Sequence, residues 1–502
     1  MHPFRVARRS TALMSNKWIG AALSLALCST ALVSCSARDD SSSNATGQPA
    51  GVAVDWNGKT ERQLRDAIAE APANGLKPEL FLKGGESGAA LTEAALKYAS
   101  ALANGYANPS DLHEVYTIPH PKADVRQGLA NAIQKGDVKS WLESLAPQTD
   151  EYRALSQAHL HYLQLAAKAQ FQPVPEGKPI KPGSRDPRIA QAVAAMQALG
   201  YLNVPQNGAQ QSQAPASHSS VYSADLIAAV KKLQGDYGFK QDGIIGGNTL
   251  DALNAGPAYR ARELAVAMER LRWLPRNPPK TRIDVNTAAA VFDYWRDGSH
   301  VDHRKVVVGE ADKPTPQLQA PIVRLVANPT WTVPKGIGVK ELADKSPAWL
   351  AENGFVQKGD QWVQQSGPKN SLGLVKFDMD DKEAIYLHDT PAKALFGLDD
   401  RHRSHGCVRV ENAIQFATAL AQQEGVVDQF QEAMQGEDET FIKLPKPITV
   451  RLLYQTAFWD GANVQFRQDV YGWDDNVAKA LGLEPGPPQK IEQPESSDEI
   501  AP

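Results

Sequence analysis

Cysteine is scarce in this chain, with three residues among 502. Cys28 and Cys35 lie in an N-terminal segment that is typical of an export signal, so Cys407 is the cysteine expected to remain as a free thiol. A lone thiol excludes an internal disulfide framework. The chain also has no Cys-x-x-Cys pair with which to close a structural zinc tetrahedron. The chemistry around one thiol is therefore the first question.

A strong charge of one sign is also missing. The 53 basic and 57 acidic residues give a net charge of −4, so nucleic acid is not an expected partner. The apolar stretch at 18–27 is too short for a membrane span. Four basic residues between positions 5 and 17 precede it, and polar sequence follows. This arrangement predicts a signal peptide over residues 1–35, and the length of the chain predicts several domains.

The run Leu32-Val33-Ser34-Cys35 resembles the lipobox of bacterial lipoproteins, in which the cysteine is lipidated and becomes the mature N-terminus. The resemblance implies a lipid anchor at Cys35. Ser36, in place of aspartate, implies a periplasmic protein held at the outer membrane. Cleavage after Ala37, giving a soluble protein, is the alternative, and Met14 is an alternative start. Residues 36–54 are Gly- and Ser-rich and are expected to form a flexible tether.

Helical periodicity dominates residues 55–172, which predicts a helical scaffold domain. A cluster of proline and glycine at 173–187 marks a boundary. Residues 186–256 contain two amphipathic helices, an Asp242-Gly243 turn and a third helix from Thr249. This unit resembles the small three-helix peptidoglycan-binding module of cell-wall enzymes, which implies contact with glycan. The alternative is that the turn and the apolar residues serve only a small core.

A linking helix is expected within 257–280, after which the hydrophobic pattern changes to period two. Strands are predicted at 281–286, 289–295, 305–309, 322–328, 373–379, 384–388 and 447–453. The expected fold is thus multidomain α+β, with a mainly β domain at 281–455 and a C-terminal tail at 456–502. His388 is expected at a strand end, and Cys407 between a polar loop and a helix beginning near Asn412.

Residues 404–409, Ser-His-Gly-Cys-Val-Arg, place Cys407 among polar neighbours and beside a glycine, which is unlike a core strand. A thiol of ordinary pKa needs an imidazole to take its proton, and His388 is the candidate base. This pattern indicates acyl transfer by a Cys/His nucleophile. Two alternatives remain: a buried, inert cysteine, and a zinc site built from His388, His402, His405 and Cys407.

Eighteen residues lie between His388 and Cys407. Together with the motif at 404–409, this spacing resembles the signature of the L,D-transpeptidases, the cysteine enzymes that remodel bacterial peptidoglycan. The runs at 268–273 and 328–331 extend the resemblance to the large multidomain branch of that family, over most of the chain from 55 to 453. It implies a mobile cap, formed by about residues 331–372, over a substrate cleft.

The resemblance also implies roles for the residues of the motif. Cys407 would attack the third, diamino-acid residue of a tetrapeptide stem and release the terminal D-alanine. The acyl group would then pass to the side-chain amine of a second stem and form a 3–3 cross-link. His388 would act as the base, oriented by the backbone carbonyl that follows it. Gly406 and Cys407 would supply oxyanion-hole amides, within a motif that Ser404 and His405 complete.

Two further residues are candidate substrate contacts. Arg409 has the fork geometry to hold a substrate carboxylate, although pairing with Glu411 would explain it equally well. Asp389 would add a carboxylate contact beside the base.

We expect peptidoglycan stem peptides and glycan as partners, a membrane contact through the lipid anchor, and neither a cofactor nor a metal. The alternatives are attachment of a protein to the wall, hydrolysis of the same bond, a wall-binding lipoprotein without activity and a zinc hydrolase.

Overall fold

The computed structural model describes residues 54–168, 171–203, 221–338 and 342–486. The predicted signal peptide with Cys35, the predicted tether up to residue 53, most of the insertion in the second helical unit and the end of the predicted tail lie outside the described residues. Among the described helices, none combines the length and apolar character that a membrane crossing requires.

The first part of the chain is helical, as expected. Its helices are α1 (Gly58–Ala69), α2 (Gly88–Asn104), α3 (Arg126–Lys135), α4 (Val138–Leu145) and α5 (Asp150–Lys168). A capping box begins α1: the Thr60 amide donates to the Asn57 side chain, and the Asn57 amide donates to the Thr60 hydroxyl. Leu64 and Ile68 then bury one face of α1 in the shared helical core.

The second helical unit contains α6 (Ile189–Ala198), α7 (Ala224–Asp236) and α8 (Gly247–Asn254). Its Asp242-Gly243 turn is held by Gln234, which is buried. The Gln234 side chain donates to the Asp242 carboxylate at 2.9 Å and accepts from the Gly243 amide at 2.9 Å. Gly243 has φ +75°, a value that favours glycine. The turn therefore has a clear structural role in this unit.

The long helix α9 (Gly256–Trp273) joins the helical part to the sheet. It is buried along nearly its whole length, packs along α5, and carries charges that are paired inside the protein. Arg272 forms an ion pair with Glu269 at 2.5 Å, and Arg270 pairs with Asp474; all four side chains are at most 1% exposed. Such buried pairs require matched partners, so they hold α9 in one register against its neighbours.

A nine-stranded mixed sheet follows. Its strands are β1 (Arg282–Asn286), β2 (Val291–Arg296), β3 (Ser299–Gly309), β4 (Leu318–Ala327), β8 (Val375–Met379), β9 (Leu387–His388), β10 (His402–Ser404), β11 (Val408–Val410) and β12 (Thr440–Leu453). Three short strands between β4 and β8 form a separate sheet: β5 (Trp331–Thr332), β6 (Phe355–Lys358) and β7 (Gln361–Gln364). The strand order of the main sheet is β10-β3-β11-β9-β8-β4-β12-β1-β2, and β2 also pairs with β3. The main sheet thus closes into a ring, with β10 outside it.

The interior of this ring is a second hydrophobic core, covered by α12 (Ala413–Gln423) and α13 (Val427–Gln435). Phe416 of α12 lies against Phe292, Tyr294 and Phe377, with ring centroids 4.9–5.4 Å apart. Alternating burial along β1, β2 and β8 supplies the other side of this core. The predicted mainly β domain is therefore confirmed.

A small cap separates β4 from β8. It contains β5 (Trp331–Thr332), α10 (Lys335–Ile337), α11 (Pro347–Glu352), β6 (Phe355–Lys358) and β7 (Gln361–Gln364), with strand order β5-β7-β6. Its core is formed by Trp331, Val333, Leu342, Leu350, Phe355 and Leu372. Trp349 stacks on Phe355 with ring centroids 5.9 Å apart, and Tyr386 of the main sheet packs against the same cluster.

Two expectations from the sequence need correction. The segment around Cys407 was expected to be a loop leading to a helix, but β10 precedes Cys407 and β11 follows it, before α12 begins at Ala413. Residues 456–486, expected to form a tail, belong to the folded body. They form β13 (Ala457–Trp459), β14 (Val464–Phe466) and α14 (Asp474–Ala480), and α14 packs on α9. The buried pair of Arg270 with Asp474 explains why this segment is held.

Candidate active site

Strand pairing brings the candidate base and nucleophile together. β9 and β11 are parallel neighbours in which Leu387 lies opposite Val408 and His388 lies opposite Arg409. The Val408 amide donates to the carbonyl of Tyr386 at 3.1 Å. Because side chains alternate across a strand, Tyr386, His388, Cys407 and Arg409 share one face of the sheet. The eighteen residues between His388 and Cys407 thus form a connection that returns to the neighbouring strand.

The Cys407 thiol is buried, with 6% of the residue exposed. Its Sγ lies 4.0 Å from the carbonyl oxygen of Ala384. Burial raises the pKa of the Cys407 thiol to about 11, and hydrogen bonding with Tyr386 opposes this rise only in part. The thiol is therefore protonated at neutral pH in this closed arrangement.

The His388 imidazole is completely buried. Its Nδ1 lies 2.5 Å from the carbonyl oxygen of Asp389, so Nδ1 carries the proton and donates to that carbonyl. Nε2, which then holds the lone pair, makes no well-aligned hydrogen bond to a described residue, although the Leu372 backbone lies near enough to the ring to raise the pKa of His388 slightly. Burial, and then the charge of Arg409, lower the pKa of His388 to about 3. The ring is a neutral base whose acceptor nitrogen is not yet engaged.

The polar residues before Cys407 shape its loop. The Ser404 hydroxyl donates to the Cys407 carbonyl at 2.6 Å and accepts from the Gly406 amide at 3.2 Å. Gly406 has φ +117°, which side chains other than glycine rarely adopt, and its carbonyl accepts from the hydroxyl of Thr315 at 2.8 Å. Ser404 and Thr315 thus hold the backbone on either side of Gly406. The half-buried His405 lies between Ser404 and Gly406 in the sequence.

The Gly406 amide donates to Ser404 in this closed arrangement. It can serve in an oxyanion hole only after it releases that hydroxyl, because one N–H makes one good hydrogen bond. The expected oxyanion role of Gly406 and Cys407 stays a prediction.

Asp389 is 3% exposed and its carboxylate has partners within the protein. Oδ2 accepts from the Leu374 amide at 3.0 Å, and Oδ1 pairs with Lys393. Gly373, with φ +64°, lies so close that an added Cβ would be 2.3 Å from Asp389 Oδ2. Asp389 therefore ties the end of the cap to the strand that carries His388. The contacts favour this positioning role over the expected contact with substrate.

Arg409 is 1% exposed and lies beside His388 on the sheet. Because the guanidinium is buried, a substrate carboxylate could reach it only after neighbouring residues moved. Its charge already has an effect in the closed arrangement, because it lowers the pKa of His388. The predicted substrate contact of Arg409 stays a prediction.

Comparison with known proteins identifies this part of the chain. Residues 280–428 match YkuD, described as the L,D-transpeptidase catalytic domain. This is an L,D-transpeptidase catalytic domain. Residues 56–158 match a family described as the scaffold domain, and residues 185–253 match the family described as "Putative peptidoglycan binding domain". The resemblance inferred from the motif and the predicted fold class are both confirmed.

A curated protein of Haemophilus influenzae, named "Putative L,D-transpeptidase", is 29% identical over 242 residues, covering 43% of this chain and 49% of that protein. The match thus spans about half the length of that relative. Solved L,D-transpeptidases from Mycobacterium smegmatis, Xylanimonas cellulosilytica and Stackebrandtia nassauensis are 14%, 15% and 12% identical. They cover 34%, 55% and 56% of this chain and 58%, 98% and 97% of their own, with TM-scores of 0.20, 0.19 and 0.20.

The zinc alternative does not fit the L,D-transpeptidase domain. Both ring nitrogens of His402 have partners: Nδ1 lies 2.8 Å from Asp400 and Nε2 lies 3.0 Å from the carbonyl of Thr287. His388 already uses Nδ1. Among the described residues, the group of side chains able to hold a metal does not include Cys407. His402 and Nδ1 of His388 therefore have other partners, and the described residues contain no group of metal ligands around Cys407.

Sequence reasoning missed three residues of the L,D-transpeptidase domain. Tyr386 lies between Cys407 and the cap, with its ring 5.7 Å from that of His388. Lys376 lies opposite His388 on β8 and places its ammonium 4.3 Å from the Tyr386 ring centre. Thr315 supports Gly406 from a distant loop. The two-residue spacing of Tyr386 and His388 on one strand was the available signal.

Proposed function

We propose that the whole protein is a peptidoglycan L,D-transpeptidase in which Cys407 is the nucleophile and His388 is the base. The observation that carries the proposal is the placement of both side chains on one face of adjacent strands, with Nδ1 of His388 on a carbonyl and Nε2 holding a lone pair. The matches to a catalytic domain and a peptidoglycan-binding domain support the substrate class.

The closed arrangement constrains how the thiol is activated. With the thiol pKa at about 11 and the imidazole pKa at about 3, a thiolate–imidazolium pair is not populated before substrate arrives. We infer that the cap opens, substrate enters, and His388 Nε2 takes the thiol proton as Sγ attacks the carbonyl. Coupling the two steps avoids a free buried charge.

In the acylation step, Sγ bonds to the carbonyl carbon of the third stem residue. Collapse of the tetrahedral intermediate breaks the peptide bond, and imidazolium returns its proton to the leaving D-alanine amine. The thioester then reacts with the side-chain amine of a second stem. His388 accepts the proton from that amine and the thiol is restored. A protein amine or water in the acceptor position would give wall attachment or hydrolysis instead.

Intact mass after incubation with purified muropeptides tests the proposal. The acyl-enzyme should appear on the wild-type chain, followed by a cross-linked product, and neither should form with Cys407→Ala. Addition of a chelator should leave the reaction unchanged, unlike a zinc hydrolase. If hydrolysed stems form and no cross-linked dimer appears, the result would support hydrolysis in place of transpeptidation. If neither an adduct nor a product forms, the result would support the alternative of a wall-binding protein without activity.

We further propose that the protein acts in the periplasm, anchored by lipid on Cys35 to the outer membrane. The lipobox-like run and Ser36 support this placement. About nineteen tether residues would span roughly 25 Å on average, which lets the folded body approach the wall from the membrane side. The second helical unit would then contact glycan while the transpeptidase domain acts on the stems.

A further inference from the structure

Three ligand-type side chains meet on the hairpin of β2 and β3. The hairpin cluster consists of Asp293, His300 and His303. Nε2 of His300 and Nδ1 of His303 each lie 2.8 Å from the same carboxylate oxygen, Oδ1 of Asp293. One ligand atom from each residue lies within 4.8 Å of the others. The side chains are 43%, 57% and 31% exposed for His300, His303 and Asp293, so an ion can reach them from solvent.

An irregularity in the strand pairing creates this cluster. His303 lies opposite Asp293, and Tyr294 lies opposite Asp302, but Trp295 then lies opposite His300 and leaves Val301 unpaired. In a regular strand, residues 300 and 303 would point to opposite faces, because alternation has a period of two. The extra residue restores His300 to the face of His303 and Asp293. β-Bulges commonly re-aim side chains in this way, often beside functional sites.

The donor set suits a transition-metal ion. Two imidazole nitrogens and one carboxylate oxygen are ligands of Zn²⁺, whereas Mg²⁺ and Ca²⁺ prefer oxygen. Tetrahedral Zn²⁺ with bonds of about 2.1 Å separates its ligand atoms by about 3.4 Å. The present 2.8 Å contacts need to expand by about half an ångström, which exposed side chains can do by small rotations. The fourth position would face solvent and take water.

The surroundings leave the cluster's negative charge available. Aromatic contact orients His300, whose ring centre lies 5.1 Å from that of Trp295. The nearby cation Arg282 lies over the Trp295 ring, 4.7 Å from its centre, and is already paired with Asp284 at 2.7 Å. Asp302, next along the chain to His303, is paired with Arg304 at 2.7 Å. The Asp293 carboxylate is thus the anionic ligand that remains for an ion.

We propose that the hairpin cluster of Asp293, His300 and His303 binds one divalent transition-metal ion of the Zn²⁺ type, separately from the proposed active site. Each imidazole would coordinate through the nitrogen that faces Asp293 and carry its proton on the other ring nitrogen. We expected no metal from the sequence. The cluster depends on the bulge at Val301, which the sequence pattern did not predict. The proposal is independent of the proposed transpeptidase function.

Calorimetric titration of Zn²⁺ into the full mature chain tests the site. The chain should carry no polyhistidine tag and should contain Cys407→Ala, so that the catalytic thiol cannot bind the ion. We expect one equivalent of Zn²⁺ per chain and no comparable binding of Mg²⁺. His300→Gln or His303→Gln in the same background should weaken binding at least tenfold. His161→Gln, an exposed histidine on α5, is the matched control and should bind as the parent does.

Visible absorption of bound Co²⁺ gives a second measurement, since its spectrum reports the ligand set. We expect the spectrum of the parent to disappear in His300→Gln/His303→Gln, while the thermal melt and the acylation rate in the Cys407 form stay unchanged. Equal Zn²⁺ stoichiometry and affinity in the parent and in this double variant would overturn the proposal. Absence of any binding to the parent would overturn it as well.

Discussion

Arg409 lies directly opposite His388 in the parallel pairing of β9 with β11, and both side chains are at most 1% exposed. A buried cation beside a buried imidazole disfavours the imidazolium form, and after burial it is the largest cause of the lowered His388 pKa. The arrangement keeps the proposed base neutral and able to accept a proton.

Replacement of Arg409 by methionine should change the pH dependence of acylation. Loss of the guanidinium stabilises protonated His388, so the pKa of His388 rises towards its ordinary value. The acid limb of kcat/KM should therefore move up by about one pH unit. Arg403→Met, which removes a half-buried arginine just before the motif at 404–409, is the control. A higher KM with an unmoved acid limb would instead support the substrate-carboxylate role.

Replacement of His388 by alanine should slow acylation by about a hundredfold or more, the size typical of losing a positioned base. Stopped-flow acylation with a tetrapeptide stem measures the rate. His161→Gln should react like the wild type, because His161 is exposed on the helical scaffold. Equal rates for His388→Ala and the wild type would end the assignment of the base.

A carbapenem should add one covalent mass to the protein, in keeping with the family resemblance. The motivating fact is that Cys407 is the free cysteine among the described residues. Cys407→Ala should take up no label and should melt within a few degrees of the wild type, since the substitution removes a single sulfur atom from the core. Label on the alanine variant would show that another residue is the nucleophile.

Acid should destabilise the fold through histidines that are buried while neutral. Burial lowers the pKa of His113 and of His388 to about 3, against about 6.5 in the unfolded chain. As pH falls below about 6.5 the unfolded state binds protons that the native state does not, so stability falls until about pH 3. At pH 5 each histidine should cost about 2 kcal/mol relative to neutral pH.

Urea unfolding at pH 7 and pH 5 measures this loss. His113→Gln should lose less stability between the two pH values than the wild type does, because glutamine does not titrate. The exposed replacement His161→Gln should leave the difference unchanged. If His113→Gln keeps the full wild-type difference, then His113 does not contribute to acid sensitivity.

Anchoring is tested by Cys35→Ala. If Cys35 is lipidated, the wild-type protein should require detergent for extraction and carry acyl mass at its N-terminus. The variant should be soluble or remain unprocessed, whereas Cys28→Ala should behave like the wild type. A wild-type protein found in the soluble periplasmic fraction with an unmodified N-terminus would reject the anchor and leave the transpeptidase proposal standing.

Much of the architecture followed from local pattern. Helical periodicity predicted the scaffold, and alternation predicted most strands of the main sheet, because burial on one face imposes a period on the sequence. The short strands β10 and β11 on either side of Cys407 were not predicted. Each has three residues, and each exists because a distant strand offers it partners: β3 for β10, and β3 and β9 for β11. No local pattern in so few residues identifies such a pairing.

The sequence by itself determined the chemistry of the candidate site, because the reactivity of a thiol and an imidazole belongs to the side chains of Cys407 and His388. Only the tertiary structure decided what surrounds them. It placed Arg409 opposite His388, paired the Asp389 carboxylate with the Leu374 amide and Lys393, and buried the Cys407 thiol. A pKa depends on the charges and solvent around a group, and these come from segments far apart in the chain.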